Sequence, residues 1–409
     1  MSERKSGSPL LTVFLTVFID LLGVTIIIPI LAPLLLKETV ILGPEYSDTS
    51  RNVIYGLLLG SLSILQFFSA PLLGTMSDKY GRRKVLNYSL LVTLTGYIVF
   101  TIAVMQYSLI GLFLGRSIVG LASGNLAVIN SAIADISKPE DRAKNFGVVG
   151  MAFGIGFVIG PFLGGILSNS DIVSWFNYAT PFMLSALLVV INLLLVYFAF
   201  PETLLKPNPN ASISPLNGFK NIGKAFRNAE MRNIFFSVFL FYLGFSFFTQ
   251  FFQPFLIEKF DFGTSEIGNL FAFVGVVVAL TQGGLVRLVS RRFSSAPIIR
   301  ITLLGLVAAF LVLLLPDSVG GLYAVVPGVA IFQGLTAPNL SAIISNSASE
   351  DVQGEVLGIQ QSMQSLANII PPLVGGLAVS LLISLPILLA AGCTLLAWLV
   401  FLLSQRGKA

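Results

Sequence analysis

Gly120-Leu121-Ala122-Ser123-Gly124-Asn125-Leu126 returns 214 positions later as Gly334-Leu335-Thr336-Ala337-Pro338-Asn339-Leu340. Further on, at an offset of 211, Gly147 falls on Gly358, Pro161 on Pro372, and Gly164-Gly165 on Gly375-Gly376. Small residues recur in any chain of packed apolar helices, but that alone does not keep Asn125 and Asn339 in register. The offset matches six membrane spans with their loops. It reads as two six-helix halves repeated in parallel about an axis along the membrane normal.

The spans themselves are hydrophobic runs of about 20 residues or more, the length needed to cross a hydrocarbon core. They are read at 10–36, 53–76, 85–106, 108–134, 145–168, 179–200, 233–256, 266–288, 297–316, 320–345, 355–383 and 385–404. The expected fold is an all-α polytopic membrane protein with 12 transmembrane helices in two pseudo-symmetric six-helix bundles. The first bundle is placed at 1–200, a linker at 201–232 and the second bundle at 233–409. Composition agrees: 55% of the 409 residues are hydrophobic and only 11% charged, against about 25% charged in a soluble domain. A cytosolic enzyme or a nucleic-acid binder needs far more polar surface. The single Cys393 gives no disulfide framework, and the absence of His removes the commonest general base and metal ligand. No metal and no cofactor is expected.

An even number of spans puts both termini on one side, and the basic residues say which. Twenty of the 24 Lys and Arg fall in loops on the side of the termini, Arg82, Arg83 and Lys84 among them. Lys37, Arg51 and Lys259 fall on the other side, and Arg116 lies inside a span. Both termini are therefore expected in the cytoplasm, in a bacterial-type plasma membrane. The first apolar run is too long for a signal peptide and carries Asp20, so it reads as a retained helix. In the linker, Leu216, Phe219, Ile222 and Phe226 recur at helical spacing beside Lys220, Lys224 and Arg227. That pattern suits either a short helix on the anionic leaflet or a solvated basic tether.

The loop after the second span reads Gly74-Thr75-Met76-Ser77-Asp78-Lys79-Tyr80-Gly81-Arg82-Arg83-Lys84. Its glycines allow a tight turn, and Asp78 can face a helix N-terminus or an Arg of a neighbouring loop. The stretch resembles the loop signature of the major facilitator superfamily. The resemblance implies a conformational latch made by Gly74, Asp78, Gly81, Arg82 and Arg83. In the second copy Gly284 and Arg291-Arg292 remain, but Leu288 or Val289 stands where the Asp would be. The stretch Leu114-Gly115-Arg116-Ser117-Ile118-Val119-Gly120 resembles the family's intramembrane Arg motif, linked to proton transfer. Gly156-Phe157-Val158-Ile159-Gly160-Pro161-Phe162-Leu163-Gly164-Gly165 resembles its antiporter signature. Gly156, Gly160 and Gly164 share one face, so a partner helix can pack closely there, and Pro161 can bend the span. The first span, from Phe18 to Pro29, resembles that of the 12-helix drug:proton antiporters, the branch with the tetracycline exporters. Their intramembrane His has no counterpart here, which counts against tetracycline as substrate.

An ionisable residue inside a span costs ~2.5–3.5 kcal/mol on insertion scales, which makes it a functional candidate. Two stand well inside, Asp20 and Arg116. At 1.5 Å per residue Asp20 lies ~15 Å and Arg116 ~18 Å from the cytoplasmic end of a ~30 Å core. Asp20 is read as the proton carrier and Arg116 as the group that tunes it; a purely structural ion pair is the alternative.

Tyr242, Ser246, Thr249, Gln250 and Gln253 form one polar stripe on the Phe-rich seventh span, and Gln361, Gln364, Ser365 and Asn368 repeat it on the eleventh. Together with Gln66, Asn130 and Gln333 they are expected to line a cavity of amides, hydroxyls and aromatic rings. Each amide taken singly also suits helix–helix bonding. Without an Arg or Lys pair, multiply anionic substrates fit poorly, and neutral or cationic lipophilic molecules fit better.

The expected function is proton-coupled antiport that exports such a molecule by alternating access, as in multidrug efflux. A symporter importing a nutrient, or an exporter of a lipid or siderophore-like metabolite, is the alternative. A channel calls for charge rings or carbonyl-lined re-entrant loops. A membrane enzyme calls for clustered carboxylates, an activated nucleophile or metal ligands. The enzyme pattern has no match in the sequence, and transport that saturates at low turnover would exclude a channel. The expected partners are a small-molecule substrate, protons and the lipid bilayer, with no nucleic acid, and the chain is expected to act as a monomer.

Overall fold

Inside a bilayer no water satisfies the backbone, so an apolar run must close its hydrogen bonds within itself. The computed structural model follows that constraint. It describes residues 9–38, 40–136, 142–204, 216, 219, 220, 223, 227, 231–346 and 353–406. The long helices are α1 (Leu10–Lys37), α2 (Asp48–Tyr80), α3 (Arg82–Met105), α4 (Leu109–Ile133), α5 (Arg142–Leu167) and α6 (Thr180–Ala199) in the first half of the chain. The second half holds α7 (Arg232–Phe260), α8 (Thr264–Ser290), α9 (Ser295–Val312), α10 (Val319–Asn346), α11 (Gln353–Leu381) and α12 (Leu385–Arg406). Eleven are long and apolar enough to cross a membrane over described residues, and Gly154–Leu167 of α5 is a shorter apolar helix. Most of the proposed linker helix, including Ile222, Lys224 and Phe226, lies outside the described residues.

Two contact units organise these helices. One gathers residues 1–34, 64–217 and 264–272; the other gathers 35–63, 218–263 and 273–409. In the first, α1 packs on α5 and α6, and α3 packs on α4 and α6. Buried polar side chains tie α1 to its neighbours. Asn192 Nδ2 donates to the Thr16 carbonyl at 3.1 Å, Ser185 Oγ to the Gly23 carbonyl at 2.9 Å, and Thr25 Oγ1 to the Gly156 carbonyl at 2.9 Å. Bonds of this kind average about 0.6 kcal/mol in a bilayer and act mainly to fix register. The Phe100 and Phe182 rings stack at 4.5 Å between α3 and α6.

In the second unit α7 packs on α11 and α12, and α9 packs on α10 and α12. Ser237 Oγ donates to the Ala397 carbonyl at 2.9 Å, and Thr336 Oγ1 to Thr302 Oγ1 at 2.8 Å. Phe248 sits against Phe252 at 4.6 Å and Phe310 at 5.2 Å, which puts the phenylalanines of α7 largely into packing.

The three basic residues that the sequence assigns to the far side of the membrane all have structural partners. Arg51 is buried and donates to five carbonyls, those of Leu35, Glu38, Leu42, Gly43 and Tyr46, at 2.6–3.3 Å. It thereby gathers the turn after α1. Lys37 pairs with Asp261 at 2.7 Å, and Lys259 pairs with Asp317 at 3.2 Å and donates to the Leu314 carbonyl at 2.9 Å.

Candidate transport site

The site begins with a break in a helix. α4 is interrupted at Ser123-Gly124 and restarts at Asn125. A Cβ on Gly124 would lie 2.7 Å from the Ala70 Cα and 2.8 Å from the Ser69 carbonyl oxygen, so only glycine lets the α2 backbone come this close. α2 then serves carbonyls beside the interruption. Ser69 Oγ donates to the Gly120 carbonyl at 3.0 Å and Gln66 Nε2 to the Ser123 carbonyl at 3.3 Å. Past the break, Asn125 Nδ2 donates to Asp20 Oδ2 at 3.0 Å.

Asp20 and Arg116 are both half-buried, each with part of its side chain open. Beside α1 stands the hydroxyl of Tyr97 of α3, a buried side chain. That hydroxyl lies 3.9 Å from where a Cβ on Gly23 would be, about one turn from Asp20 on α1. Sequence reasoning set Asp20 and Arg116 at one depth; the structure gives Asp20 the Asn125 amide as its hydrogen-bond partner and brings Tyr97 to α1 close by. Asn125 stood out in the sequence only through its repeat partner. Tyr97 gave no separate signal, since its span also carries Ser89, Thr93, Thr95 and Thr101.

At the other end of α2, its last turn with Asp78 and the turn at Gly81 are built around Arg82. The Arg82 guanidinium pairs with Asp78 at 2.5 Å and Asp135 at 3.0 Å, and donates to Ser77 Oγ at 2.6 Å. Thr203 Oγ1 donates to the same Asp135 oxygen at 3.1 Å. Asp78 therefore meets neither a helix N-terminus nor an Arg of a neighbouring loop; its partner is Arg82, four residues on in the same stretch. The N-terminus of α3 is served instead by Glu202, which accepts from the Arg82 and Arg83 amides at 2.9 and 3.2 Å. Gly81, at φ 99°, makes this possible, since a Cβ there would press on the Glu202 carboxylate. Glu202 fell in the stretch read as linker. Gly74 packs loosely, 3.9 Å from the Ala127 methyl in the same test.

The glycine face of α5 meets α1. A Cβ on Gly156 would touch Leu21, one on Gly160 would overlap Thr25, and one on Gly164 would run into the Ile26 carbonyl. Gly165 points the other way, to the first turn of α8, where Gly268 lies against the Pro161 carbonyl. α5 stays helical through Pro161.

The polar stripe of α7 is only partly open. Ser246 and Gln253 are buried, and Gln250 Nε2 donates to Ser246 Oγ and to the Asn368 carbonyl. The Tyr55 hydroxyl donates to the Gln250 carbonyl at 3.0 Å. Gln360, which sequence reasoning passed over, donates to Ser341 Oγ at 2.7 Å, linking α11 to α10. Gln66 and Gln250 thus join helices, while Ser246 accepts from Gln250 within α7. Asn130, Gln333 and Gln364 are half-buried and Gln361 is exposed.

A carboxylate, a guanidinium and a tyrosine held part-way along apolar helices suit a carrier that moves a small molecule through a membrane. The chain belongs to the Major Facilitator Superfamily, whose sequence model matches residues 13–372 and 234–408. It is an integral, multi-pass membrane transporter and not an enzyme. Among its relatives is the tetracycline resistance protein, class C, of Escherichia coli, 30% identical over 375 residues that cover 90% of this chain and 89% of that protein. Another is the major facilitator superfamily domain-containing protein 10 of Bos taurus, 30% identical over 90% of this chain and 86% of that one. The crystal structure of the human organic anion transporter MFSD10 (TETRAN) superposes with a TM-score of 0.74 at 24% identity, covering 96% of this chain and 98% of that one. That likeness concerns the fold.

Proposed function

We propose that the protein is a proton-coupled antiporter exporting a lipophilic neutral or cationic small molecule. Its halves, 1–200 and 233–409, would rock about a site near the membrane midplane, with both termini in the cytoplasm and the chain acting as a monomer. The observation that carries this reading is Asp20, a half-buried carboxylate in α1 that accepts from Asn125 and lies one turn from where the Tyr97 hydroxyl meets α1. A carboxylate so placed can take up a proton in one arrangement of its neighbours and release it in another. The glycine contact of α5 with α1 would let a movement of α5 reach Asp20, and the Arg82 cluster would steady one state of the cycle.

The tetracycline resistance relatives support export, and the missing His argues for a different drug-like substrate. A proton moving inward down 100 mV releases ~2.3 kcal/mol, enough for a gradient of several tens-fold in an electrogenic exchange.

The test is flux in proteoliposomes with an imposed pH gradient, using ethidium as cationic and carboxyfluorescein as anionic probe. Ethidium transport opposite to the proton flow, lost in Asp20→Asn, is expected. Undiminished coupling in Asp20→Asn would overturn the proposal. A second reading, organic-anion transport, rests on Arg116 and on the human structural neighbour's being an organic anion transporter; carboxyfluorescein flux without ethidium flux would favour it.

A further inference from the structure

Where α3 begins and α6 ends, Arg83, Lys84, Asn87, Tyr88, Tyr197 and Glu202 enclose an open recess of about 400 Å³. Its one acid is already engaged: Glu202 Oε1 accepts from the Arg82 and Leu204 amides and Oε2 from the Arg83 amide. The two bases keep free capacity. Arg83 is half-buried, donates from one Nη to the Tyr197 carbonyl, and lies over the Tyr197 ring, 5.7 Å from its centroid. A guanidinium carries five N–H donors, and stacking on a ring holds its plane. Lys84, next to it, is exposed.

Beyond the recess the same two helices turn apolar side chains outward. Leu91 and Val92 continue α3 from the exposed Tyr88, while Leu194 and Phe198 flank the exposed Tyr197 on α6. Two tyrosines at the ends of membrane helices, basic groups beside them and an exposed aliphatic strip leading away match one kind of molecule. It has an anionic phosphate at one end and hydrocarbon at the other.

We propose that this recess holds the headgroup of an anionic phospholipid. Arg83 and Lys84 bind the phosphate, Tyr88 and Tyr197 flank the glycerol, and the acyl chains lie along the strip beyond. The site goes beyond the transport reading and depends on neither substrate nor proton coupling.

Delipidated full-length protein in detergent is titrated with phosphatidylglycerol, phosphatidylcholine or inorganic phosphate, and bound lipid is counted by native mass spectrometry. Phosphatidylglycerol is expected to bind in preference to phosphatidylcholine. Its affinity should fall about fivefold for each basic residue removed, hence about 25-fold in Arg83→Gln/Lys84→Gln. The control Arg291→Gln/Arg292→Gln removes two exposed bases elsewhere and should leave this binding in place. If Arg83→Gln does not fold, Lys84→Gln alone, at an exposed side chain, still reads the fivefold loss.

Equal binding in the variant and the parent protein would overturn the proposal, as would an equal loss in the control. Displacement of the lipid by an equal concentration of inorganic phosphate would also overturn it, because the acyl chains would then add nothing.

Discussion

Asn125 and Asn339 hold equivalent places in the repeat and do different work. Asn125 begins a helix segment after a break and donates to the Asp20 carboxylate. Asn339 lies within the continuous α10 and donates to the Leu335 carbonyl of its own helix at 2.8 Å. The neighbouring positions differ in the same sense. Gly124, which lets α2 approach, corresponds to Pro338, and Arg116 corresponds to Ala330. Packing is what the two copies share. Gly164 of α5 abuts α1 and Gly165 abuts α8; Gly375 of α11 abuts Phe251 of α7, and Gly376 abuts Asn52 of α2. The repeat preserves helix contacts while the ionisable chemistry is concentrated in the first copy.

The largest effect expected from this comparison is at the glycines, where the copies differ in what the glycine touches. In Gly164→Ala the new Cβ meets the backbone oxygen of Ile26, which cannot move without shifting α1. In Gly375→Ala it meets the buried Phe251 ring, which gives by rotating and repacking against Tyr55 without a shift of backbone. The expected losses are about 3 kcal/mol for the first and about 1 kcal/mol for the second. Thermal unfolding in detergent measures both, and equal losses would show that α1 is as free to adjust as a side chain.

A smaller and more specific difference is expected at the asparagines. Asn125→Ala removes a donor to a charged group, worth about 1.5–3 kcal/mol, so proton-driven flux should fall at least about tenfold. The pH dependence of that flux should shift as well, which a merely structural role would not produce. Asn339→Ala removes a bond within one helix and should leave flux and its pH profile in place. A shifted profile in Asn339→Ala would mean that the second copy takes part in coupling.

Much of this was legible before any coordinates, because hydrocarbon thickness dictates span length and a lone acid in an apolar run cannot be overlooked. The limits follow from the same physics. α2 was read as 53–76 but runs from Asp48 to Tyr80, since polar residues in its end turns, Asp48 and Asp78 among them, lower hydropathy without ending a helix. Arg51 was counted as a loop charge, yet it lies in the first turns of α2, buried among carbonyls of residues 35–46. The break in α4 was read as continuous span over 108–134, because a glycine between serine and asparagine signals a break only once α2 is seen against it. Choosing Asn125 as the partner of Asp20 needs the third dimension, and depth along a helix supplies only one.

The smallest effect probes whether the second copy is a neutral scaffold. Thr336 and Thr302 are both buried, and Thr336 donates to the Thr302 hydroxyl at 2.8 Å and stands 2.7 Å from its own helix's Phe332 carbonyl. Thr336→Val keeps the shape and removes the hydroxyl. The Thr302 hydroxyl can then turn to a carbonyl of the preceding turn in α9, as helix threonines do, so the loss should be near the 0.6 kcal/mol average for such bonds in a bilayer. Flux in proteoliposomes should be unchanged. A collapse of flux at unaltered unfolding temperature would place transport chemistry between α9 and α10, and the contrast between the copies would have to be redrawn around two polar centres instead of one.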